Sequence, residues 1–180
     1  PVFYYMPTRA KTKVGSWELG DLEKSYKEGF EKFLRSIEKQ VRYVEAKNQI
    51  LANTISATDF KNLLLLVENI SERMSIAVGY SHLLYATDTS SNEGAALMTK
   101  MDALSSNLSN RLLFFDMWFK KQVNEDDARR LINSVPEVYR EFLKHKRLLS
   151  KYTLTEPEEK IINTLEVTGT NALIKIYDRF

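Results

Sequence analysis

The sequence predicts an all-α protein, an elongated antiparallel helical bundle of three long and several shorter helices. Three observations carry that expectation. Apolar residues recur at spacings of three and four over stretches far longer than a strand; hydroxyl residues, prolines and glutamates stand in the order that opens helices; and alternating apolar and polar runs are missing. With 180 residues, 43% of them hydrophobic, the chain has apolar material for a sizeable core.

Residues 1–16 mix two prolines, Gly15 and basic residues with Phe3, Tyr4 and Tyr5 without a period, and read as an extended N-terminal arm. From Leu22 the apolar residues Tyr26, Phe30, Phe33, Ile37, Val41, Val44 and Leu51 share one helical face, so the first long helix is expected from about Leu22 to Leu51. At roughly 1.5 Å per residue it would be on the order of 45 Å long. Residues 53–59 break the pattern, with Ser56 and Thr58 as candidate caps. Phe60, Leu63, Leu64, Val67, Met74, Ala77, Val78 and Leu84 then restart it. So short a turn implies two antiparallel long helices.

Small polar residues follow from Thr87 to Asn92, and Ser90 with Glu93 has the spacing of a capping box, opening a third long helix to about Gln122. Asn124 opens a short helix through Ile132. Two further starts share one pattern, Ser134 with Pro136 and Glu137, then Thr155 with Pro157 and Glu158. Val167 to Thr170 interrupt the last helix, and an apolar run from Ala172 stops at Phe180. That stop, with Pro1 in place of Met, leads to the expectation of a piece cut from a longer chain, residues 17–180 forming one helical lobe.

Composition narrows the function classes. Lys and Arg number 26 against 24 Asp and Glu, interspersed, for a net charge of +2, which argues against a nucleic-acid surface. No cysteine is present, so disulfides, thiolate ligands and Cys nucleophiles are excluded; a cytoplasmic setting is compatible and is the expected one. No leader sequence is recognisable, and the longest apolar run, Leu63 to Val67, is far too short for a membrane span.

A helix-borne zinc site needs two histidines one turn apart with a glutamate beside the first. The 2 histidines here, His82 and His145, lack that setting. Glu141 precedes His145 by one turn, but Lys144, Lys146 and Arg147 crowd it near an expected helix C-terminus, where cations favour the dipole and repel a metal. His82, between Tyr80 and Leu84, is expected to be a hydrogen-bonded, partly buried residue rather than a ligand. No Glu-x-x-His of a di-iron bundle, nucleophile elbow or glycine-rich phosphate loop occurs. No catalytic, cofactor or metal residue is therefore assigned. The basic run from Lys144 to Lys151 reads as a solvated helix end.

One segment exceeds an ordinary core stripe. Between Arg111 and Lys120, Asp116 alone interrupts Leu112, Leu113, Phe114, Phe115, Met117, Trp118 and Phe119, so this helix must be covered on more than one side. Its cover is either its own neighbours in this chain or a part of the protein outside it. On the second alternative Phe114, Trp118, Ile174, Tyr177 and Phe180 would form an interface.

Trp17-Glu18-Leu19 with Asp21-Leu22, the stretch YSHLLYATD from Tyr80 to Asp88 followed by Thr89, Ser90 and Glu93, and Leu154-Thr155-Glu156 with Glu158-Glu159, Thr168-Gly169, Ala172 and Tyr177-Asp178 together resemble the oligoendopeptidase F family of zinc metallopeptidases. The resemblance runs from Trp17 onward and departs at Leu173, where an aromatic residue is common. It implies the N-terminal helical lobe of an oligopeptide endopeptidase, shaping and restricting the substrate channel and inactive alone. The zinc, its His-Glu-x-x-His helix and a later Glu ligand would lie in a downstream peptidase domain of the same polypeptide, with oligopeptides as substrates. A homodimer through exposed apolar surface is expected of the isolated lobe. The competing reading is a stand-alone helical interaction or scaffold module; an independent metalloenzyme bundle has little support from two histidines.

Overall fold

The computed structural model describes residues 29–52, 54–169, 173, 176 and 177. Among them the fold is all-α, with six α-helices: α1 (Phe30–Ala46), α2 (Ala57–Thr87), α3 (Asn92–Met117), α4 (Glu125–Ser134), α5 (Glu137–Leu148) and α6 (Glu156–Thr168). A π turn (Trp118–Gln122) continues α3, and 3-10 turns follow α1 (Asn48–Ile50) and α5 (Leu149–Tyr152). The arm at residues 1–16, the 17–22 motif and the expected helix start at Leu22 lie outside the described residues.

Most boundaries follow from local chemistry. The Ser56 hydroxyl accepts the Asp59 N–H at 3.0 Å, which selects Ser56 over Thr58 as the cap of α2. Asn124 accepts from the Asp127 N–H at 2.9 Å to open α4, which runs through Ser134 rather than stopping at Ile132. Thr155 and Glu158 form the capping box of α6, with Pro157 in its first turn.

Three boundaries differ from expectation. Helix α1 ends at Ala46, and a tight turn carries the chain to Ile50: beyond Val44 no side chain of this stretch is buried, so nothing rewards further α-helix. The cap of α3 is Ser91, accepting the Gly94 N–H at 3.1 Å, because Ser90 is engaged by Asp88, donating its N–H and hydroxyl to Oδ1 at 3.0 and 2.6 Å. Ser134 is no cap either. Its hydroxyl turns back to the Leu131 carbonyl at 2.7 Å, and α5 opens behind Pro136 because buried Val135 anchors the link in the extended conformation that a following proline favours.

Residue pairings set the helix directions. Phe60 at the start of α2 meets Phe115 at the end of α3, so these two are antiparallel. Their turn is tight: a Cβ on Gly94 would lie 3.4 Å from the Tyr85 Cα, so a small residue suits this close approach. Arg73 of α2 reaches Ser36 and, at 2.6 Å, Gln40 of α1, and stands 4.7 Å from the Phe33 ring centroid. Phe30 meets Tyr80 with ring centroids 5.9 Å apart and Gln40 donates to Asn69 at 3.1 Å, so α1 runs antiparallel to α2. Helix α6 runs antiparallel to α3, Ser106 lying against Asn163 and Asn110 against Lys160.

Two apolar clusters form the core. One, holding Ile37, Val41, Val44, Ile70, Met74, Ala77, Met101 and Leu108, joins α1, α2 and α3. The other gathers Phe60, Leu63, Leu64, Phe115, Trp118, Phe119, Val123, Leu131, Ile132 and Leu143 where α2, the π turn, α4 and α5 converge. Val67 and Phe114 touch both. Phe60 and Phe119 stack with centroids 5.5 Å apart, and Phe115 and Trp118 stack at 5.9 Å.

Candidate functional site

The aromatic segment at the end of α3 is covered by the chain itself. Trp118 is 3% exposed and packs against Phe60, Phe115 and Phe119, so it is a core residue and not part of an outer surface. This corrects its place in the expected interface. Phe114 is half-buried between the two clusters. Tyr177 is 82% exposed, whereas Ile174 and Phe180 lie outside the described residues.

The uncovered apolar surface is elsewhere. Apart from Tyr43, Ile50, Ile76 and Leu83, every exposed large apolar side chain among the described residues falls between Val138 and Tyr177. Helix α6 shows why. Its inner stripe, Glu156, Lys160, Asn163 and Val167 at helical spacing, is mostly polar and faces inward half-buried, while Ile161, Ile162 and Leu165 point outward. That inverts the usual order of an amphipathic helix. Hydrogen bonds hold α6 on α3: the Ser106 hydroxyl donates to the Asn163 carbonyl at 2.9 Å, the Asn163 amide donates to Asn110 Oδ1 at 2.8 Å, and the Asn110 amide donates to Thr164 at 3.3 Å. Leu173, Ile176 and Tyr177 are also helical and exposed.

Charged residues near this surface are committed to structure. Arg111 donates to both Glu45 oxygens at 2.8 and 2.7 Å and to Glu38 at 2.7 Å, and its hydrogen bonds hold both carboxyls below their ordinary values. Those contacts join α1 to α3. Arg147 departs from the solvated helix end expected of the basic run. Its Nη1 donates to the carbonyls of Phe119, Lys120 and Val123 at 2.8, 3.0 and 2.8 Å, and its Nη2 pairs with Glu125. It caps the π turn, supplying donors to carbonyls that a helix end leaves unpaired. The sequence offered no signal for this, since those acceptors are backbone atoms 24 to 28 residues away.

Neither histidine stands in a metal-binding arrangement. His82 is hydrogen-bonded as expected, with Nε2 2.9 Å from buried Asp102, although its side chain is half exposed. His145 is exposed, and Glu141 binds Lys144 at 2.6 Å instead. Among the described residues no group of three or more His, Asp or Glu side chains could hold a metal ion, and no helix is long and apolar enough to cross a membrane. Among the described residues, the zinc implied by the family resemblance finds no fitting ligand set.

What the arrangement defines is an all-α chain with a packed interior whose exposed large apolar side chains, among the described residues, fall mostly between Val138 and Tyr177. Residues 121–179 match the family model described as Oligopeptidase F, so about a third of the chain is similar to that family, in line with the resemblance. No curated protein and no solved structure matches the chain.

Proposed function

We propose that the chain is the N-terminal helical lobe of a zinc-dependent oligopeptide endopeptidase and serves as a wall of its substrate channel, restricting entry by size and having no hydrolytic activity alone. One observation carries the reading: the segment that matches the peptidase family also presents the outward apolar faces of α5 and α6. Exposed apolar side chains gathered on a surface mark contact sites. The downstream peptidase domain of the same polypeptide is the proposed cover, and zinc with its ligands belongs there. Long helices joined by the Arg111 and Arg73 contacts suit a rigid wall better than a flexible lid. A cytoplasmic setting is part of the proposal, consistent with a chain that has no cysteine.

The test is to read the coding sequence beyond Phe180 and express the complete product. A downstream His-Glu-x-x-His helix, bound zinc and cleavage of unfolded oligopeptides but not folded proteins are the expected results. Ile161→Asp with Leu165→Asp should then lower that activity by loosening the lobe. A coding sequence without the zinc motif would refute the proposal in favour of a stand-alone scaffold module.

A further inference from the structure

Between α2, the end of α3 and α5 lies a cavity of about 270 Å³. Its interior is walled by Phe60, Phe115, Phe119, Leu64 and Leu143, all buried, and half-exposed Phe142 stands at the mouth. Polar side chains reach it mainly from the more exposed positions, and they are paired. The Tyr139 hydroxyl donates to Glu68 at 2.5 Å, and Asp116 binds Lys146 as well as Lys120, the latter at 2.6 Å. The Lys146 ammonium also stands 5.0 Å from the Phe142 ring centroid.

The geometry points to a binding site for one neutral aromatic group about the size of indole. Size sets the first limit. An apolar cavity of roughly 150 Å³ takes a benzene-sized ligand, so about 270 Å³ accommodates on the order of ten heavy atoms. Charge sets the second. Glu68 accepts from the Tyr139 hydroxyl and Asp116 is shared by Lys120 and Lys146, so every charged group of the lining is already engaged and the charges of the set, two of each sign, balance. An ion entering would exchange water for phenyl rings at high cost. Shape sets the third: four phenylalanine rings in the lining offer edge and face contacts that reward a planar ring system. The group could be a free molecule or a tryptophan side chain on a peptide, and the site stands independently of the peptidase reading.

The experiment is fluorine NMR titration of the chain with 5-fluoroindole and, separately, with N-acetyl-5-fluorotryptophan amide. Saturable shifts with both probes are expected if the site reads peptide side chains; saturation by fluoroindole alone also supports the site and assigns it to free aromatic molecules. Ser71→Phe, which fills the pocket from an exposed position on α2, should weaken binding at least tenfold. Phe142→Ala removes a half-exposed wall without opening the core and should weaken it several-fold, so the test survives if the first variant fails to fold. Circular dichroism checks both variants. No saturable shift with either probe, or affinity unchanged in the folded variants, overturns the site.

Discussion

Replacing Arg147 by alanine should destabilise the fold by about 2 kcal/mol, although the residue sits in a run that reads as ordinary surface. Arg147 is 14% exposed, and its Nη1 is shared among three carbonyls at 2.8 to 3.0 Å. Each such bond from a charged donor contributes roughly 1 kcal/mol when one donor group is divided among several acceptors, for a gross loss of about 3 kcal/mol. Part is returned. The Arg147 Nε is buried without a partner among the described residues, and deleting it relieves a desolvation cost of about 1 kcal/mol. The contact with Glu125, which is 75% exposed, adds little. For a chain of this size the net change lowers Tm by roughly 4 to 8 °C. Urea and thermal unfolding followed by circular dichroism measure it, with Arg129→Ala, at an exposed ion pair on α4, as the control. Arg147→Lys should recover less than half of the loss, because one ammonium cannot serve a carbonyl cluster and Glu125 with planar geometry. An Arg147→Ala variant as stable as the control would refute the capping role and restore the solvated reading of the basic run.

Three other outcomes are expected. Hydrogen bonds from Arg111 hold the Glu38 and Glu45 carboxyls below the ordinary 4.5, so their stabilisation is complete above about that pH and is lost as pH falls through the lower folded-state values; denaturant unfolding from pH 7 to 3 should show this slope in the wild type and a shallower one in Arg111→Met. Both carboxylates are about a third exposed, so the effect stays near or below 1 kcal/mol, and equal slopes would contradict it. Gly79→Ala should stabilise by roughly 0.5 to 1 kcal/mol, since the position is exposed inside α2 and an added Cβ meets nothing within 4 Å; a lower midpoint in urea would show a hidden clash. The isolated chain should self-associate through its apolar exterior, and Ile161→Ser with Leu165→Ser should lower the mass seen by light scattering, whereas a strictly monomeric wild type would count against that contact.

Local chemistry made much of this protein legible before its structure. The apolar period of α2, the Asn124 cap and the Thr155 and Glu158 capping box are properties of residues within one helical turn of each other, and each stands where its pattern lay. Where two neighbouring hydroxyls competed, as Ser90 and Ser91 did, composition could not choose, because the decision rested on which one Asp88 engaged. The aromatic run before Lys120 announced that it would be covered on several sides without saying by what. Only the packing of α2, α4 and α5 around Trp118 decided that the cover is intramolecular. The basic run likewise disclosed its charge and not its partners, since Arg147 is fixed by backbone carbonyls to which no side-chain pattern points. The inverted face of α6 is the clearest case. Its sequence shows an amphipathic helix, but which face turns inward is set by Ser106 and Asn110 on α3, which present hydrogen-bonding groups where apolar ones would have drawn Ile161 and Leu165 into the core. Periodicity records that a helix has two faces, and only the neighbour it packs against determines which of them meets water.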